Sequence, residues 1–162
     1  MKYSFLIFLF VVSFQTKTFG QLEVKSESEI LEAIEWISTN PVEKTNKEFV
    51  SKVAGYITYQ VVKYPNFPVN FSGLREFMDH ERDYKYYFEI NLVYTSNQLA
   101  NKIRSGNKYD LKKSSVKSMR KVLGYYRLLL KKEPDQTNSV LDLYTNMNKR
   151  ELEKHIKKLV KK

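Results

Sequence analysis

The chain has 162 residues, no cysteine, 28 lysines and arginines against 18 acidic residues, and a formal charge of +10. Without cysteine it can form no disulfide, no thiolate nucleophile and no cysteine-ligated metal site, so a packed core must hold it together. Five glycines and four prolines are few for an all-β chain, and apolar residues recur at spacings of three and four, which points to an all-α fold.

The N-terminus reads as a leader. Lys2, the apolar run Phe5 to Phe14, the polar Gln15 to Lys17 and then Thr18-Phe19-Gly20 have the layout of a secretory signal peptide, residues 1–20, cut after Gly20. The run is about half the ~20 residues a membrane helix needs. The mature chain, residues 21–162, is then expected to be one helical domain without a transmembrane segment, exported to the periplasm or outside the cell. Its charge is uneven: residues 21–100 carry 8 basic and 12 acidic side chains, residues 101–162 carry 18 and 6. Such a division steers anionic partners, or the acidic half of another copy, to the C-terminal half.

In chain order, Ser26 with Glu29 is a capping-box pair that opens a helix on Ile30, Ala33, Ile34 and Ile37, ended at Asn40-Pro41. Thr45 with Glu48 opens a second, with Val50, Val53, Ala54, Ile57 and Val61 as its buried stripe, running to Tyr64. Pro65 and Pro68 exclude a helix interior and predict an extended loop to Ser72. A short helix is expected from Ser72 to Met78. A long one is expected from Asp83 to Arg104, with Tyr84, Phe88, Leu92, Leu99 and Ile103 as its stripe, Thr95 and Ser96 diluting its middle, and Gly106 as its stop.

The longest amphipathic pattern follows, from Asp110 to Glu133. Val116, Met119, Leu123, Tyr126 and Leu130 form one apolar stripe, Asp110 caps the start and Pro134 forces the end. Lys113, Lys117, Arg120, Lys121, Arg127 and Lys131 fall on the opposite side and are the candidate residues for binding an anionic partner. Gly124 sits among them and leaves a side-chain gap; close helix packing is its first explanation and contact with a ligand its second. Tyr125 points away from the stripe and Leu128 toward the basic side, so both are expected to be exposed contacts. Val140, Leu141, Tyr144 and Met147 give a short helix, and Asn148 with Glu151 caps a last one on Leu152, Ile156 and Leu159. The sum is a compact bundle of six or seven helices. No self-similarity recurs at the ~34-residue period of helical repeats.

At Trp36, Asn40-Pro41, Tyr64-Pro65, Gly124-Tyr125-Tyr126 and Leu141-Tyr144 the chain resembles an uncharacterised group of small exported bacterial all-helical proteins. The resemblance implies an exported helical domain and transfers no activity.

Catalytic and cofactor motifs are missing. There is no G-x-S-x-G elbow and no glycine-rich phosphate loop, and His80-Glu81 fails the H-E-x-x-H pattern because Tyr84 stands where the second histidine must be. Asp79, His80, Glu81 and Asp83 could still gather around a divalent cation, though a polar knot between helices also serves as a capping corner. His155, among Lys154, Lys157 and Lys158, is expected on the surface. The twelve tyrosines suit helix edges, with ring inside and hydroxyl at the boundary, as well as contact patches. Two readings follow. The first is a non-enzymatic binding or assembly module without a cofactor, whose partner is an unknown protein or an anionic envelope component. Peripheral membrane contact is compatible with it, and nucleic acid is not expected at an exported location. The second is a weak hydrolase or metal-dependent enzyme using the Asp79-His80-Glu81 corner.

Overall fold

A computed structural model describes residues 26–41, 54–55, 57–59, 61–62, 64, 67 and 69–160. Among the described residues the chain is an all-α bundle of six or seven helices. Those with defined bounds are α1 (Glu27–Thr39), α2 (Arg75–His80), α3 (Tyr87–Ser105), α4 (Leu111–Lys132), α5 (Ser139–Asn146) and α6 (Lys149–Leu159), with 3-10 turns at Ser72–Leu74 and Gly106–Lys108. Residues 54, 55, 57–59, 61 and 62 are also helical. The expected leader, and Val50 and Val53 of the second helix, lie outside the described residues. Among the described residues no helix is long and apolar enough to cross a membrane.

Local chemistry sets most helix ends. The Ser26 side chain accepts from the Glu29 backbone while Glu29 reaches back to the Ser26 N–H, and Asn148 and Glu151 repeat the box on α6. Asp110 accepts from the Lys113 N–H at 2.9 Å to start α4, and Asn138 accepts from the Leu141 N–H to start α5. Gly106 ends α3 with φ +50°, a conformation that a side chain disfavours.

The basic helix α4 is the hub, packing against α1, α3, α5, α6 and the Ser72–Leu74 turn. Its buried face is wider than the apolar stripe in the sequence. Ser114, Ser115, Ser118, Val122, Tyr125, Tyr126 and Leu129 are buried together with Val116, Met119 and Leu123. At 100° per residue they cover about 200° of the circumference. Leu130 is only half-buried. Tyr125, expected as an exposed contact, is 1% exposed, because neighbouring helices cover both flanks of α4; Leu128 is half-buried.

Helix α3 lies between two cores. On one side Ile90, Val93 and Tyr94 join α4, α5, α6 and Phe77; on the other Leu92, Leu99 and Ala100 join Ile30, Ile34 and Ile37 of α1 with Ala54, Ile57 and Val61. Every residue from 92 to 100 is therefore buried, Thr95, Ser96, Asn97 and Gln98 included. Most of these polar groups are satisfied locally or across a seam. Thr95 donates to the Asn91 carbonyl, Asn97 to the Val93 carbonyl and to Ser38 of α1, and Gln98 to the Asn70 carbonyl, at 2.9, 2.8, 2.7 and 2.7 Å. Small serines on α4 face this seam, and they let the two longest helices approach closely.

Two helix starts differ from the sequence expectation. Helix α3 begins at Tyr87, four residues after Asp83, because turns close from Tyr84 to Glu81 and from Tyr87 to Tyr84. Tyr84 leaves the helix to pack edge-on against Phe77 and to donate to the Gln136 carbonyl at 2.9 Å. Phe88, expected in the buried stripe, is 60% exposed. The segment after the proline loop is a 3-10 turn followed by α2, which ends at His80 rather than Met78.

Candidate anion-binding face

With Gly124 as the reference at 100° per residue, Lys113, Lys117, Arg127 and Lys131 fall within about 80° of arc on the outer side of α4. All four are exposed. Lys117, Gly124 and Lys131 share nearly one line, since seven residues come close to two full turns. A ridge of positive charge runs along about 27 Å of helix between Lys113 and Lys131.

The six candidate side chains are not equivalent. Arg120 approaches Glu153 of α6 at 3.4 Å, and Lys121 contacts both oxygens of Glu35 on α1 at 2.8 and 2.9 Å. The Lys121 pair lies beside the ridge on the α1 side, whereas Arg120, about 40° from Gly124, lies within the arc, so its pair with Glu153 brings one carboxylate up to the ridge itself. The amine of Lys113 lies 3.8 Å from Asp110, a surface pair too weak to withdraw the charge. Lys117, Arg127 and Lys131 have no carboxylate within ion-pair distance among the described residues. Glu153 also accepts from Lys157 at 2.6 Å, and that hydrogen bond, with the charges of Lys157 and Arg120, holds its carboxyl below the usual range. Arg120 of the ridge and Lys157 of α6 thus share one carboxylate where the two helices meet, so the basic face does not continue evenly across them.

Gly124 is not a close-packing site. A Cβ built there would meet nothing within 4 Å, so the glycine leaves an open saddle midway along the ridge. The close approach in this fold belongs to Gly73, where a Cβ would lie 2.3 Å from the Tyr94 hydroxyl.

The Asp79-His80-Glu81 corner is opened outward. Asp79 pairs with Arg75 at 3.2 Å, Glu81 accepts from the Ser139 hydroxyl at 2.8 Å, and His80 is exposed. Among the described residues no three His, Asp or Glu side chains are grouped to hold a metal. His155, expected on the surface, is half-buried: its Nε2 lies 3.0 Å from Glu76, and its ring meets Tyr144 edge-on. Tyr144 donates to the same Glu76 oxygen at 2.6 Å. Burial opposes ionisation of Glu76, but the hydrogen bonds from Tyr144 and His155 outweigh it and hold the carboxyl below its ordinary value. Tyr144 is pushed up, first by burial and then by the carboxylate beside it. This cluster fastens α5 and α6 to α2, and with partners 68 and 79 positions apart no sequence motif announces it.

No family model, curated protein or solved structure matches the chain.

Proposed function

We propose that the protein is an exported, non-enzymatic helical binding module that engages an anionic envelope component through the outer ridge of α4. One observation carries the reading: Lys117, Arg127 and Lys131 are exposed, share one face of α4 and have no carboxylate partner among the described residues, while Arg120 and Lys121 are engaged by carboxylates of neighbouring helices. Support for export comes from the apolar run and small-residue site before Gln21.

Retention on an anionic matrix in dilute buffer tests the ridge. Lys117→Glu/Arg127→Glu/Lys131→Glu is expected to abolish it. A charge-matched control, Lys149→Glu/Lys154→Glu/Lys158→Glu on α6, is expected to keep most of it. Equal loss in the two variants would mean that only net charge matters and would overturn the assignment. Export is checked by sequencing the N-terminus of the protein from an envelope fraction, which should begin at Gln21.

A further inference from the structure

We infer that the ridge is shaped for a single extended acidic polysaccharide, a linear chain of carboxylate or sulfate groups laid along α4, rather than for a membrane. This rests on the anion-binding reading above and specifies its partner.

The exposed cations Lys113, Lys117, Arg127 and Lys131 occupy about 80° of arc over a length of about 27 Å, a track one chain wide. Glu35 borders it on the α1 side, with exposed Glu32 one turn away, and Glu153 of α6 reaches Arg120 within it. A planar anionic bilayer pressed against this face would meet those carboxylates as well as the lysines, and like charges repel. A single polymer strand laid along the Lys117–Gly124–Lys131 line passes between them.

Interfacial helices hold to bilayers through apolar side chains inserted beside their basic ones. The exposed large hydrophobic residues among those described are Val62, Val69, Phe71, Phe88 and Leu143, none of them on α4. Nor does the ridge offer aromatic platforms on which the bases of a single-stranded nucleic acid could stack, because Tyr125 and Tyr126 are both buried. Recognition here is by charge and spacing alone, which suits a polymer whose anionic groups project from a backbone with no stacking face.

Gly124 lies midway between Lys117 and Lys131. Lys117 and Lys131 each stand about 10 Å from it along the axis, and the open space above its Cα lets the polymer backbone descend to the helix while its anionic groups reach the cations on either side.

Binding of the purified protein to size-graded heparin-derived oligosaccharides is compared with binding to phosphatidylglycerol vesicles at equal anion concentration and low salt. Affinity should rise with oligosaccharide length until the chain spans about 27 Å and then level off, and the vesicles should bind more weakly per charge. Lys117→Glu/Arg127→Glu/Lys131→Glu should lose about tenfold or more. Gly124→Gln changes no charge and enters open space at a helix position that favours it over glycine; it should weaken oligosaccharide binding while leaving retention on the anionic matrix intact. Vesicles or a single-stranded oligonucleotide binding as tightly as the longest oligosaccharide, affinity independent of length, or an unaltered Gly124→Gln variant would each overturn the polysaccharide inference while sparing the ridge. Failure of the triple-glutamate variant to lose binding would overturn both.

Discussion

Replacing Gly73 by alanine probes the tightest contact in the fold. The new methyl carbon would sit 2.3 Å from the Tyr94 hydroxyl and 3.2 Å from both Ile156 Cγ2 and Ser115 Cβ. Ordinary contact between heavy atoms is about 3.5–4.0 Å, so the first distance is more than an ångström too short. None of the three neighbours can yield easily, because Tyr94, Ser115 and Ile156 are each 0% exposed. They belong to α3, α4 and α6, so any relief must part three helices at their junction. Overpacking of this kind typically costs about 1–3 kcal/mol, and a rigid site on all sides places Gly73→Ala at the upper end, about 3 kcal/mol. For a chain of this length that lowers Tm by roughly 6–12 °C. The Tyr94 hydroxyl is surrounded by Ser115, Gln98 and the Gly73 backbone, yet it makes no well-aligned hydrogen bond among the described residues. Tyr94→Phe should therefore be mild by itself, and it removes the atom at 2.3 Å. In that background the cost of Gly73→Ala should fall by about 1 kcal/mol or more, measured by denaturant unfolding as a double-mutant cycle. A Gly73→Ala variant within about 0.5 kcal/mol of the parent, or one equally destabilised with and without the Tyr94 hydroxyl, would refute the close-approach argument.

Gly124→Ala should act in the opposite direction. With nothing within 4 Å of the added carbon, the helix gains about 0.5–1 kcal/mol, read as a higher denaturant midpoint with an unchanged slope; a loss of stability would mean the glycine is packed after all. Glu76, held below its ordinary value by Tyr144 and His155 after burial is overcome, should make stability pH-dependent in the acid range. Its contribution is fully present above the unfolded glutamate value of about 4.3 and is lost as pH falls through the lower folded-state value. Unfolding curves taken down this range should show that dependence flattened in Glu76→Gln, and an identical pH profile in that variant would remove the carboxylate from the account.

The sequence by itself determined those features whose physics is local. The capping boxes at Ser26 and Asn148, the cap at Asp110 and the stop at Gly106 each depend on residues no more than four apart, and each stands where the pattern places it. The all-α class and the position of α4 as the helix around which the others pack were legible for the same reason, since a long amphipathic stripe must be covered by something. Partners far apart in the chain decided the rest. Tyr125 lies off the apolar stripe and is buried because α4 is covered on both flanks. The serines of α4, and Thr95 to Gln98 of α3, read as polar surface in a one-dimensional pattern, yet they form the seam between two helices because small or locally bonded side chains tolerate burial. The ridge shows the same division. Six basic residues could be counted in the sequence, but which of them keep a free charge depended on Glu35, 86 positions from Lys121, and on Glu153, 33 positions from Arg120. A helix face can be drawn from periodicity alone; its electrostatic content is set by the carboxylates that tertiary packing brings beside it.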